Sequence, residues 1–170
     1  MVSFDVTELP PADPPARGES APEFVRPLVG AEYWEDAALS ELVKTGPVVL
    51  VFYPMDGAFP ATYMWTEIRD RGWGADADAT VVGVSISTPY EHGAFIDRYD
   101  LEYRLFSDPA NGVAERYGVV HDLDGMAGVT EPRPAVVLVD GDQTVRYTWA
   151  AEEWPEFPPY DETEDAIAEL

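Results

Sequence analysis

The sequence contains no cysteine, and it is also poor in basic residues and histidine. The absence of cysteine excludes disulfides, thiolate metal sites and thiol redox chemistry. Lysine and arginine together number 10, against 33 aspartate and glutamate residues, which gives a formal net charge of -23. This charge would repel nucleic acid and anionic membrane surfaces, so neither is expected as a partner.

Long apolar segments are missing as well. No run of about 18 consecutive apolar residues is present, so no transmembrane helix is expected. The opening stretch, "MVSFDVTELPPADPPARGES", carries acidic side chains where a signal peptide would be positively charged. These absences predict a soluble, cytoplasmic protein.

What the chain does contain is an ordinary apolar fraction, 46%, together with acidic residues spread along its whole length. Concentrated salt screens the mutual repulsion of such charges, so the combination is typical of a protein from a halophilic organism. An acidic interaction protein that works in ordinary salt is the alternative.

The 170 residues are enough for one compact domain. Residues 1–20 include "PPADPP" and show no apolar periodicity, which predicts an extended or mobile N-terminal lead-in. Residues 21–170 are predicted to form a single domain that ends in an acidic amphipathic helix, with Ile167 and Leu170 facing inward.

Strands and helices alternate along this domain. Continuous β-branched runs predict buried strands in "PVVLVFY" and "TVVGVSIS", and a further strand is predicted in "YRLFSD". Helices are predicted in "YWEDAALSELV", "PATYMWTEIRDRG", "TPYEHGAFIDRYD" and "DPANGVAERYG". "AVVLVD" and "TVRYTWA" predict a hairpin that turns at "GDQ". This order favours a mixed central β-sheet with helices on both faces.

Several segments, taken together and in order, resemble the peroxiredoxins, the thiol peroxidases of the alkyl hydroperoxide reductase C (AhpC/TSA, or redoxin) family. The segments are "APEF", "ALSEL", "PVVLVFYP", "VVGVSISTPYEHGAFIDRYDLEYRLFSDPANGVAERYGV" and "VLVDGDQTVRY", and they cover residues 16–150. The resemblance implies an α/β, thioredoxin-like fold of the peroxiredoxin type. It also implies descent from an antioxidant enzyme.

In the family, the reaction depends on a proline, a hydroxyl residue four positions later and a peroxidatic cysteine three positions after that. The cysteine lies in the first turn of a helix whose N-terminus, with a distant arginine, lowers the pKa of the thiol. In this chain the three positions hold Pro54, Ala58 and Ala61. Pro134 occupies the arginine position, and the neighbouring Arg133 would point to the opposite face of a strand unless a bulge intervenes. The resemblance therefore implies a naturally degenerate site, a pseudoenzyme with no catalytic residue.

The remaining polar residues of the loop do not supply an activated nucleophile in place of the missing cysteine. Asp56 is interpreted as a turn residue, with no partner base or nucleophile evident beside it. Thr62 and Tyr63 lack an activating neighbour. His92 is assigned a capping or packing role at the start of a helix.

"HDLDG" is the one fragment that resembles a metal loop. His121, Asp122 and Asp124 are not followed by the glutamate that would complete a calcium site. Two separated histidines without cysteine also argue against a zinc or iron site, because such sites need three or four nitrogen, sulfur or carboxylate ligands together. Neither a metal nor a cofactor is predicted.

Large apolar side chains are concentrated in the loop and the helix that follows it, namely Met55, Phe59, Tyr63, Met64 and Trp65. Core packing explains such residues in part. The other interpretation is an apolar patch at the mouth of the former active site, near the surface that many peroxiredoxins use to dimerise. A homodimer through this face is therefore expected, and no other protein partner can be identified.

The leading hypothesis is a redoxin-domain protein without thiol peroxidase activity that acts by binding or assembly. The alternative is an enzyme that has reused the pocket for a small hydrophobic or carbonyl ligand. Asp56, Thr62 and Tyr63 would then be its polar contacts.

Overall fold

The structure is a computed structural model that describes residues 5–75, 79–122 and 125–170. The strands, in chain order, are β1 Thr7–Glu8, β2 Val25–Val29, β3 Trp34–Ala38, β4 Val48–Phe52, β5 Thr80–Ser85, β6 Arg104–Ser107, β7 Val120–His121, β8 Glu131–Pro132, β9 Ala135–Val139, β10 Val145–Ala150 and β11 Glu153–Trp154. The helices are α1 Leu39–Leu42, α2 Phe59–Arg71, α3 Pro89–Tyr99, α4 Gly112–Arg116 and α5 Tyr160–Ala168, and a 3₁₀ turn spans Val43–Thr45.

The central sheet has the strand order β10-β9-β4-β5-β6-β2-β3. β4, β5 and β6 are parallel to one another, and the other pairs are antiparallel. β4 and β9 are buried along their whole length, as their continuous apolar runs predict. Among the described residues the sheet is therefore mixed, and the predicted architecture is confirmed.

Alternate residues of β4 enter two separate apolar clusters, one on each face of the sheet. Leu50 and Phe52 belong to the cluster that α1 and α4 cover. Val51 belongs to the cluster covered by α2, α3 and α5. Because successive strand residues point to opposite faces, one short strand anchors both halves of the core. Within the described ranges, no helix combines the length and the apolar character needed to cross a bilayer.

The long helices begin and end where local chemistry predicts. α2 has Pro60 in its first turn and is followed by Gly72, which takes the left-handed conformation at φ 70°. At α3, Thr88 and Glu91 form a reciprocal capping box. In α5, Ile167 packs against the core, but Leu170 is 38% exposed because the helix ends at Ala168. The prediction for Leu170 was wrong.

The helix predicted in "YWEDAALSELV" was wrong in its first half. Its first residues form β3, which pairs along its whole length with β2, and only Leu39–Leu42 are α-helical. The strand β2 was not predicted because it contains Pro27, which cannot donate to a ladder. Its register explains how the proline is accommodated, since β6 contacts only Leu28 and Val29.

The N-terminal strap, residues 7–21, follows the outer edge of β10. Gly18 donates its N–H to the carbonyl of Val145 at 2.8 Å, and the Thr148 hydroxyl donates to the carbonyl of Pro15 at 2.8 Å. β1, at the start of the strap, pairs with β11. The described part of the strap is extended, and its backbone is hydrogen-bonded to the edge of the sheet.

Candidate functional site

The loop between β4 and α2 keeps the backbone frame that the sequence resemblance implies. Pro54 is buried, Gly57 turns the chain at φ 85°, and Ala58 is the N-cap residue of α2. Ala61 lies in the first turn, fully buried, and its N–H donates to the Ala58 carbonyl at 3.0 Å. Ala58 has no side-chain oxygen to cap the helix, and Ala61 has a methyl group where a nucleophile would be.

Asp56 is not an isolated turn residue, and the interpretation that it lacks a partner was wrong. Its Oδ2 lies 2.7 Å from Nδ1 of His92, and its Oδ1 accepts a hydrogen bond of 2.7 Å from the Tyr53 hydroxyl. The Nε2 of His92 donates to the carbonyl of Phe106 at 3.0 Å. Both ring nitrogens of His92 are therefore engaged, one with the Asp56 carboxyl group and the other with the backbone of β6.

The protonation of Tyr53 is fixed by its surroundings. Burial, together with the negative charge of Asp56, raises the pKa of Tyr53 well above its ordinary value. The phenol therefore remains protonated at neutral pH and serves as a hydrogen-bond donor to Asp56. It cannot supply a phenolate nucleophile there.

Serine residues extend this network into the sheet. The backbone N–H of Asp56 donates to Oγ of Ser87 at 2.8 Å, and Oγ of Ser107 donates to the Ser87 carbonyl at 2.6 Å. Ser87 also donates its own N–H to Oγ of Ser85 at 3.3 Å. The loop is thereby hydrogen-bonded to the ends of β5 and β6 as well as to α3.

His92 is fully buried inside α3, where it joins Asp56 to the sheet. Capping of this helix is done by Thr88, so the capping role assigned to His92 was wrong, whereas the packing role agrees with its burial. The sequence did contain an indication that Asp56 and His92 lie close together. Adjacent parallel strands end at one edge of the sheet, so residues that follow β4 and β5 come together there.

Arg133 is directed toward backbone carbonyls. Its guanidinium donates to the carbonyls of Pro10, Val120 and Ala151 at 2.8, 2.9 and 3.1 Å. Burial lowers its pKa. Pro134 accepts the N–H of Ala151 at 2.9 Å. These hydrogen bonds join the strap to the sheet.

The five large apolar residues around the loop separate into two groups. Met64 and Trp65 are fully buried in the core, and Met55 is half-buried. Phe59 and Tyr63 are 39% and 60% exposed. The two exposed rings are 5.2 Å apart and both contact the ring of Phe157, at 6.1 and 6.2 Å. We call these three residues the aromatic face.

Two of the possible ligand contacts of the alternative hypothesis lie in different surroundings. Asp56 is engaged with His92, while Tyr63 belongs to the exposed aromatic face. A cleft of about 530 Å³ lies instead at the far end of α2, between Trp73 and Tyr103.

The metal-like fragment lies partly outside the described residues, because Asp124 is not among them. His121 packs its ring against Trp154 at 4.8 Å and lies 3.9 Å from the carboxylate of Glu131. Within residues 5–75, 79–122 and 125–170, no group of three or more histidine, aspartate or glutamate side chains could hold a metal ion.

The sheet order, the helices on both faces and the loop that leads from β4 into α2 define a thioredoxin-like fold of the peroxiredoxin type. Solved structures agree: peroxidoxin BcpB from Mycobacterium tuberculosis superposes with a TM-score of 0.73 at 27% identity, covering 89% of this chain and 94% of that one. The reduced 2-Cys peroxiredoxin of Plasmodium vivax gives a TM-score of 0.77 at 20% identity, covering 90% and 94%. The chain belongs to the AhpC/TSA family, which matches residues 17–148.

The relatives found by sequence are peroxiredoxins as well. A chloroplastic peroxiredoxin Q of Gentiana triflora is 31% identical over 142 residues, which are 83% of this chain and 62% of the relative. The putative peroxiredoxin YkuU of Bacillus subtilis is 34% identical over 120 residues, 65% of this chain and 67% of the relative. The chain thus spans about two thirds of the length of these relatives.

Proposed function

We propose that this protein is a redoxin-domain pseudoenzyme, without thiol peroxidase turnover, that acts by binding or assembly. The observation that carries the proposal is Ala61, a buried methyl group in the first turn of α2, in a chain with no cysteine. Thiol peroxidase chemistry begins when a thiolate attacks a peroxide oxygen and becomes a sulfenic acid. Without a sulfur nucleophile, that first bond cannot form.

The surroundings of Ala61 support the same proposal. The contact between Asp56 and His92 holds the loop against α3, and the guanidinium of Arg133 donates to three backbone carbonyls. Asp56, His92 and Arg133 are therefore already hydrogen-bonded to other parts of the fold.

Assembly through the aromatic face is the form of binding that we propose. Phe59 and Tyr63 are exposed beside Phe157, on a chain whose surface is otherwise strongly acidic. Aromatic residues are enriched, and acidic residues depleted, in protein interfaces. A second copy of the chain would cover these rings in a homodimer. The charge of -23 further favours a salt-rich cytoplasm as the setting.

A peroxide-consumption assay with a thiol reductant tests the catalytic part of the proposal. The protein is expected to consume peroxide no faster than buffer. Turnover above buffer that disappears when residues 54–61 are disrupted would contradict it.

Restoring the missing groups provides the matched comparison. Ala61→Cys is expected to give little activity by itself, and the triple change with Ala58→Thr and Pro134→Arg is expected to give measurable turnover. The reason is that a hydroxyl, a cation and the N-terminus of α2 together stabilise a thiolate. A folded but inactive triple variant would indicate that Phe59 and Pro60 have remodelled the loop.

A further inference from the structure

β3 is the terminal strand at one side of the central sheet. Within the described part of the chain, β3 pairs with β2 and with no other strand. The segment from 31 to 36 is exposed throughout, including Tyr33 at 66% and Trp34 at 43%. We call residues Tyr33–Asp36 the β3 edge.

The hydrogen bonds at the two ends of the β2–β3 ladder show which backbone groups face outward. Leu39 donates its N–H to the carbonyl of Phe24 at 3.2 Å, and Gly30 donates to the carbonyl of Tyr33 at 3.0 Å. In an antiparallel ladder, hydrogen-bonded pairs alternate with non-bonded pairs. Every second residue of β3, counted from Tyr33, is therefore bonded to β2.

The intervening residues, Trp34 and Asp36, direct their N–H and C=O groups away from β2. Asp36 lies opposite Pro27, which has no N–H to offer, in agreement with this register. The β3 edge thus presents two donors and two acceptors, the pattern onto which a further extended strand can add.

On both faces of the β3 edge, side chains form sites for the side chains of an added strand. On one face, Tyr33, Glu35 and Glu32 line a groove of about 270 Å³, with Arg104 in its wall. On the other face, Trp34 packs edge-on against Tyr90 of α3, with ring centroids 5.1 Å apart. Alternate side chains of an added strand would enter these two sites in turn.

The opposite edge of the same sheet shows how this protein closes an edge. There the proline-rich strap runs along β10, and it contributes backbone groups that satisfy the strand. At the β3 edge the described residues contribute no such cover, and aromatic rings are exposed instead of prolines. The strap therefore covers the β10 edge of the sheet, whereas no described residue covers the β3 edge.

We propose that the β3 edge binds an extended, basic peptide segment of another protein by strand addition. Glu32, Glu35 and Asp36 would attract lysine or arginine side chains, and the Trp34–Tyr90 pair offers ring faces to the same cations. A second copy that paired through its own β3 edge is a poor occupant, since it would bring the same three carboxylates against these.

Binding of a fluorescent peptide measured by polarisation tests the proposal. The probe alternates lysine and valine over about six residues, the usual length of a strand. We expect saturable binding that weakens as salt is added, and perturbed amide NMR signals at residues 33–36. A peptide with glutamate in place of lysine, and one with N-methylated backbone amides, should fail to bind.

Three variants assign the binding to the edge. Asp36→Pro removes an outward N–H that β2 does not use, Trp34→Ala removes the ring, and Glu35→Lys reverses one charge. Each is expected to weaken binding about tenfold, the loss that a cation–π contact or a favourable charge pair accounts for. Asp165→Lys on α5 is the matched control, because it changes an exposed charge elsewhere, and it should leave binding unchanged.

Several results would overturn the proposal. The first is no binding of the basic peptide, and the second is equal binding of the N-methylated peptide. Equal loss in Asp165→Lys would indicate non-specific charge attraction. A dimer that Asp36→Pro converts to monomer would make a second copy the occupant. If Asp36→Pro fails to fold, Trp34→Ala and Glu35→Lys still decide the outcome.

Discussion

Asp56 is hydrogen-bonded to three other residues of the site, His92, Tyr53 and Ser87. Its carboxylate contacts both His92 and Tyr53, and its side chain is only 6% exposed. Removing one partner of a buried hydrogen-bonded pair costs more than the pair itself contributes, because the remaining polar group is left buried and unsatisfied. In a variant without this carboxyl group, the buried Nδ1 of His92 would lose its partner at 2.7 Å.

We therefore expect Asp56→Ala to lower the free energy of unfolding by about 2–4 kcal/mol, measured by denaturant titration. Asp165→Ala, an exposed change of the same kind, should alter it by less than about 0.5 kcal/mol. A double-mutant cycle with His92→Ala should give a coupling free energy of about 1–3 kcal/mol. Strictly additive effects would show that the two side chains do not act as a pair.

The positions of Ala58 and Ala61 could be predicted because the resemblance to the family places both at fixed steps after Pro54. The contact between Asp56 and His92 could not be read in the same way, since 36 residues separate them. Only the parallel pairing of β4 with β5 brings the two segments to one edge of the sheet.

Among the helices and strands, local sequence patterns were sufficient to predict those elements whose ends are marked by particular residues. α2 and α3 were predictable because proline, a capping box and glycine mark their ends. β3 was mistaken for a helix because Trp34, Ala37 and Ala38 are spaced like the apolar face of a helix. Its pairing with β2 overrides that local pattern. Non-local hydrogen bonds of this kind leave no local pattern in the sequence.

The strap depends on one close backbone approach, at Gly118. Its φ is 66°, and a Cβ at this position would collide with the carbonyl of Asp13 in the strap. Gly118→Ala should therefore lower the free energy of unfolding by about 2 kcal/mol or more. Hydrogen exchange should also show faster exchange of the Leu9 and Gly18 amides, which now donate to the carbonyls of Glu152 and Val145.

Gly93→Ala is the matched control for this strap experiment. It adds the same methyl group in α3, where no heavy atom lies within 4 Å of the new Cβ, so stability should be unchanged or slightly higher. Unchanged exchange at Leu9 and Gly18 in Gly118→Ala would show that the strap does not depend on this contact.

For the whole molecule, net charge opposes the association that the aromatic face favours. Two copies that each carry -23 repel strongly in dilute buffer. The screening length falls from about 10 Å at 0.1 M salt to about 3 Å at 1 M. Salt therefore removes most of the repulsion, while the burial of apolar rings is retained or strengthened.

Analytical ultracentrifugation should accordingly find a monomer at about 0.1 M salt and a dimer at about 1 M, where screening is nearly complete. Tyr63→Glu places a charge in the aromatic face and should keep the protein monomeric at both concentrations. Tyr33→Glu is the matched control, since Tyr33 is exposed to a similar extent, 66% against 60%, but lies on the β3 edge. Dimers of the Tyr63→Glu variant, or a monomeric wild-type protein at high salt, would rule out assembly through the aromatic face, because removing the charge repulsion would then have revealed no attraction there.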